Sequence, residues 1–110
     1  MTLLSTTDNL YGYVITQYHG IVSSEIVLGT NIVRDMIAGI TDVIGGRSGM
    51  YESSLADAKQ TVLKTLQVKA EDIGANAVIG IDLDFTSLFN DKKQMLMCVG
   101  SGTAVSVEKR

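Results

Sequence analysis

The chain predicts an α+β domain: a mainly antiparallel sheet covered by one long and one short helix. Three stretches carry that prediction. Residues 11–25 are rich in Tyr, Val, Ile and Thr, the types that a pleated, half-covered surface favours. Leu55, Ala58, Val62, Leu66, Ala70 and Ile73 recur at i, i+3, i+4 spacing and draw one stripe along a helix. Residues 77–86 alternate with period two, and 95–107 read as the strand that returns beside them. At 110 residues this is one domain, 1–110, able to bury a core with limited margin.

Taken in order, residues 1–7 predict a short edge strand, and Asp8-Asn9 turns the chain. In the 11–25 strand, strict alternation sets Val14, Thr16, Tyr18 and Val22 on one face. Tyr13, Ile15, Gln17, His19 and Ile21 take the other. Neither face is polar, so both are expected to be covered, one by helices and one by a neighbour. Gly29 precedes Thr30-Asn31, an N-cap pair. Ile32, Val33, Met36, Ile37 and Ile40 then recur at helical spacing opposite Arg34 and Asp35, a short helix ending near Gly39.

Ser48 caps the long helix, expected over 49–73, with Gly74 as its stop. Asp57, Lys59, Gln60, Lys64 and Glu71 occupy its polar side. Burying the six stripe side chains contributes on the order of 10 kcal/mol before entropy is counted. Beyond it, Ala77, Ile79, Ile81, Leu83 and Phe85 point one way, and Val78, Gly80, Asp82, Asp84 and Thr86 the other. The turn at 90–93 leads into the last strand, where Gly100 and Gly102 predict a bulge or a close backbone approach.

Composition narrows the function classes. The net charge is −3, so there is no basic footprint for phosphate-mediated nucleic-acid binding. Lys109 and Arg110 read as a solvated tail. The single cysteine, Cys98, rules out an intramolecular disulfide and suits a reducing compartment. No basic, apolar leader opens the chain and no apolar run reaches the length of a membrane span, so the expected location is cytoplasmic, with no membrane partner. Proline is absent, which leaves the turns to 11 glycines and to Asn and Asp. The chain is 45% hydrophobic with a mean hydropathy of +0.23, apolar for so small a monomer. The excess predicts a subunit interface, and hence a homo-oligomer.

The densest cluster of special residues is Asp42-Val-Ile-Gly-Gly-Arg-Ser-Gly-Met-Tyr-Glu52. With Tyr18-His-Gly-Ile-Val-Ser-Ser-Glu-Ile-Val-Leu-Gly-Thr-Asn-Ile32, Gly74-Ala-Asn-Ala-Val-Ile-Gly-Ile-Asp82 and Ser101-Gly-Thr-Ala-Val105, it resembles the YbjQ family of small bacterial and archaeal proteins over nearly the whole chain. The resemblance implies a dodecin-subunit-like α/β subunit that closes into a ring-shaped homo-oligomer, a pentamer. It also implies a heavy-metal-binding label, and it supplies no catalytic residues.

Three site hypotheses follow, each beside a plainer reading. Gly45, Gly46, Arg47, Ser48 and Gly49, with Tyr51 and Glu52, could cradle an anion: N–H groups, a hydroxyl, a guanidinium and a helix start all favour one. The spacing is neither a P-loop nor a Rossmann fingerprint. The plainer reading is a subunit contact, with Arg47 paired to Glu52, Glu25 or an acid on the next subunit. A metal ion is the second hypothesis. Soft metals want clustered thiolates and imidazoles, and here only Cys98 and His19 qualify, so several copies would have to meet on a ring axis. Met95 and Met97, sharing a face with Val99, read as packing. Third, Asp82 and Asp84 project from one strand face and could hold a hard cation or a proton; the plainer reading is a solvated face or partners for Arg34, Arg47 or lysines.

Ser48, Cys98 and His19 are the possible nucleophile and base, but nothing marks them as adjacent, so no enzyme is expected. The reading is a cytoplasmic ring-forming scaffold or binding protein. The alternatives are a heavy-metal-binding module and an anion binder at the Arg47 loop.

Overall fold

The structure is a computed structural model that describes the backbone of residues 2–29, 49–90 and 93–110, and the side chains of 2–29, 55–87 and 95–110. The short helix expected over 32–40 and the loop at 42–48 lie outside the described residues. The elements in chain order are β1 (Leu3–Leu4), β2 (Tyr13–Leu28), α1 (Gly49–Asp72), β3 (Ala77–Asn90) and β4 (Lys93–Lys109). Among the described residues the strands form one sheet in the order β1-β3-β4-β2. β4 runs antiparallel to β2 and β3, and β1 adds a parallel pair on the far side of β3, so the sheet is mixed. The expected edge strand near the N-terminus is therefore present, two residues long.

α1 lies across one face of the sheet. Ala58, Val62, Leu66 and Ala70 are buried there, as the stripe predicted. Leu66 and Ala70 pack with Val22, Val78, Ile81 and Ala104; Ala58 and Val62 pack with Cys98. The stripe's last member is a correction: Ile73 is 48% exposed. The helix stops at Asp72 because Gly74, at φ +89°, turns the chain away. Ala75 N–H donates to Ala70 O at 2.9 Å and Gly74 N–H to Glu71 O at 3.1 Å, the paired bonds of a Schellman cap. That cap swings Ala75 into the core in place of Ile73.

Gly100 explains how close α1 sits on the sheet, and Gly102 how closely the side chains of the bulged β3 pack over β4. A Cβ on Gly100 would stand 2.4 Å from Val62 Cγ1 and 2.8 Å from Leu83 Cδ2. On Gly102 it would stand 2.6 Å from Val78 Cγ1 and 3.1 Å from the carbonyl oxygen of Ile79. Of the two expectations for these glycines, close approach is the one realised; the bulge lies across from them, on β3.

Three bulges overturn the strict alternations. On β3 the register passes from Ile79↔Thr103 to Asp82↔Ser101, one residue too many on the β3 side, and Gly80 takes φ +61°. Ala77 and Ile79 therefore face away from the helix, with Val105 and Val107, whereas Ile81 and Leu83 join the helix side. On β2 the register slips at Thr16 and again at His19. Each slip reverses the side on which the following residues emerge. Tyr18 thus shares the open face with Tyr13, Ile15 and Ile21 rather than with Val14 and Val22, as their β4 partners require.

Replacing Gly100 with alanine is expected to destabilise the fold by about 1–3 kcal/mol, because Val62 must leave its position. Gly29→Ala is the control: among the described residues nothing lies within 4 Å of its Cβ position. Its effect is expected to stay within about 0.5 kcal/mol. Urea unfolding of both variants measures the difference.

Candidate functional site

The chemistry-bearing side chains fall into three separate places. The first is the bulge on β2. His19 is the extra residue there, and the slip turns its ring toward the end of α1. Its Nε2 lies 2.7 Å from Ser106 Oγ. The Ser106 hydroxyl in turn donates to Gly74 O at 3.4 Å, which assigns His19 Nε2–H as the donor to Ser106. A relay from imidazole to hydroxyl to the helix-capping carbonyl ties β2, β4 and the α1 exit together. Ser106 was not among the sequence candidates, because only the bulge brings it beside His19.

The second place is the open face of the sheet. Asp82 and Asp84 pair with Ser101 and Val99 of β4, residues on the side away from α1. Both aspartates are exposed. Asp82 is raised above its ordinary value of 3.8, first by a hydrogen bond with the Asp84 carboxyl, then by that neighbour's charge, and least by desolvation.

The third place is beneath α1. Cys98 is 1% exposed and packs with Ala58 and Val62. Burial pushes its thiol up, against a smaller opposing pull from the Lys59 ammonium. Lys59 itself sits 6.0 Å from the centre of the Phe85 ring, within cation–π range. A buried, protonated thiol is a weak nucleophile and a weak ligand.

These positions do not assemble one metal centre. Cys98 and Ser106 are eight residues apart on β4, a span of roughly 26 Å at the strand rise, so Cys98 and the Ser106-bound His19 cannot share an ion within a subunit. The two aspartates emerge on the other side of the sheet from Cys98. No group of three or more His, Cys, Asp or Glu converges among the described residues. The described donors of one chain thus do not fit a heavy metal. Of the predicted loop, Gly49 begins α1, and Tyr51 and Glu52 follow in its first turn; Gly45, Gly46, Arg47 and Ser48 lie outside the described residues. Among the described residues no helix is long and apolar enough to cross a membrane.

With this geometry in hand, likeness to known proteins can be weighed. The YbjQ family model, described as "Putative heavy-metal-binding", matches residues 2–108. A UPF0145 protein of Anoxybacillus flavithermus is 49% identical over 107 residues, covering 97% of this chain and 99% of that protein. A UPF0145 protein of Pasteurella multocida is 49% identical over 105 residues, covering 96% of this chain and 98% of its own length. Among solved structures, a protein of unknown function from Pediococcus pentosaceus, assigned to the DUF74 family, superposes with a TM-score of 0.64. It covers 97% of this chain and 98% of its own at 18% identity, which speaks for a shared fold.

Two measurements follow. Asp82 holds its proton more firmly folded than unfolded, so this pair favours folding below about pH 3.8 and loses that contribution as pH rises through the raised value. Asp84→Asn is expected to return the Asp82 midpoint, read by carboxyl-carbon NMR, toward its ordinary value and to raise stability at pH 7. Removing the relay by His19→Ala or Ser106→Ala is expected to cost about 1 kcal/mol in urea unfolding. The double variant is expected to cost less than the sum of the two.

Proposed function

We propose that this chain, which belongs to the YbjQ family, works as a ring-forming homo-oligomer, a pentamer, that serves as a cytoplasmic binding or scaffold protein without catalytic chemistry. The observation that carries the reading is its shape. The radius of gyration is 17.1 Å with extents of 52 × 30 × 18 Å. A compact chain of this length has a radius near 13 Å by size scaling, approximately.

The length comes from β4, whose 17 residues span roughly 53 Å at the strand rise. Such a slab leaves β2 as a 16-residue edge strand with no described strand beyond it. Ile21 is 83% exposed and Val27 47% exposed on its open face. Long edges with apolar side chains invite pairing unless another chain covers them. β2 and the far half of β3 are different edges, so a head-to-tail contact between them would be heterologous, the kind that closes rings. Val68 on α1 and Ile73 just past its end, both near half-exposed, add apolar surface for a neighbour.

Within this reading the Gly45–Gly46–Arg47–Ser48–Gly49 loop and the following Tyr51 and Glu52 line the clefts between subunits, either as a contact or as an anion cradle. The heavy-metal description has a single route here. Copies of Cys98, His19, Asp82 or Asp84 from several subunits would have to meet on the ring axis, since one subunit's donors do not converge.

Native mass spectrometry of protein purified without chelators is expected to show five times the 11.8 kDa chain. A monomer sinks the ring. A stoichiometric metal mass would favour the metal-binding module, and calorimetry with zinc, copper and cadmium would then show binding tighter than about micromolar. Arg47→Ala separates the loop's two roles: loss of the ring marks a contact, and an intact ring that no longer holds an anion marks a cradle.

A further inference from the structure

A cleft of about 820 Å³ opens on the side of the sheet away from α1, where the start of β2, the turn before it and the end of β4 meet. Its size is that of a small-molecule site. Tyr11, Tyr13 and Tyr18 line it together with Asn9 and Arg110, over a floor that includes Val107. Tyr11 is 103% exposed and Tyr18 68%, so two aromatic rings stand uncovered around one concavity.

The walls are held in place. Tyr13 N–H donates to Leu10 O at 3.1 Å and Gly12 has φ +82°, while among the described residues none other than glycine has a positive φ. That combination is a type II turn, in which glycine at the third position is required. Arg110 is exposed, as expected of a solvated tail, but its backbone N–H donates to Gly12 O at 2.9 Å and holds it against the turn. The Asn76 side chain accepts from Val107 N–H at 2.8 Å and donates to Val107 O at 3.0 Å, which clamps the floor.

The chemistry of the lining selects a ligand. The chain is acidic overall, yet Arg110 lines the cleft, and Lys109, paired with Tyr13 across the sheet, emerges on the same face. Neither is in a salt bridge among the described residues. Tyrosine rings offer flat, amphipathic walls, and a guanidinium engages a carboxylate through two parallel hydrogen bonds. Aromatic rings, phenol hydroxyls, an amide and one guanidinium in a single concavity make a small-molecule site rather than an apolar seam.

We propose that this cleft binds a small aromatic carboxylate, its ring against Tyr11 and Tyr18 and its carboxylate on Arg110. Every residue that lines the cleft comes from one chain.

The test is a backbone-amide NMR titration of the full-length protein with benzoate, with benzamide as the neutral isostere and acetate as the ringless one. Sedimentation velocity on each variant runs alongside. Saturable benzoate shifts confined to residues 9–18 and 107–110, with acetate silent, are expected. Arg110→Gln is expected to weaken benzoate about tenfold while leaving benzamide unchanged, and Tyr18→Ala to weaken both. No saturable shift below about 20 mM benzoate overturns the proposal, as does an Arg110→Gln variant that binds as well as the parent. So does a Tyr18→Ala variant that breaks the assembly while the parent binds no benzoate: the cleft would then be covered by a second copy.

Discussion

The close seating of α1 on β4 is the contact on which the rest of the structure depends. With one layer of sheet and one described helix, the core on that side is a single interface. Gly100 removes the side chain that would prop the helix off, and Val62 and Leu66 fill the space, while Gly102 makes room for Val78 and Ile81 of β3. Both Val62 and Leu66 are fully buried there. The Schellman cap at Gly74 then decides where the chain leaves the helix, and so where β3 starts and where β1 can pair with it. The N-terminal segment is tied back to the same helix by Thr2 Oγ1 donating to Glu71 and Gln67 Nε2 donating to Thr2 O.

The bulges distribute the remaining chemistry over that frame. Without the slip at His19, its ring would not meet Ser106, and without the slip at Thr16, Tyr18 would lie under the helix layer instead of beside Tyr13. Without Gly80 at positive φ, Asp82 and Asp84 would point toward the helix, where two carboxylates would be costly. The slip instead keeps them in water, where their mutual repulsion costs only a displaced titration. One side of the sheet thus becomes a packed interface and the other an accessible surface with a tyrosine-lined cleft at one end and a carboxylate pair further along.

Membership of the YbjQ family and the donor geometry pull in different directions. The family description names heavy metals, but a single subunit offers a buried, protonated thiol, an imidazole engaged with Ser106, and two exposed carboxylates on the other side of the sheet. A soft metal asks for converging, deprotonated ligands. No such convergence exists among the described donors of one chain.

From its sequence alone the chain determined the α+β class, the family, the extent of α1, its Gly74 stop and the presence of a long returning strand. These are local facts: helix spacing, a glycine stop and strand alternation act over a few residues and leave a periodic trace. The helix stripe was legible down to Ala70 and failed at Ile73, where the cap redirects the chain. Which face each strand residue takes was decided only by the tertiary structure. A bulge is a mismatch between two strands, and no periodicity within one strand records it; Thr16, a bulge residue, carries no mark at all. The neighbours of His19, the separation of Cys98 from His19, and the pinning of Arg110 beside three tyrosines depend on contacts between distant residues, which only the packed sheet brings together.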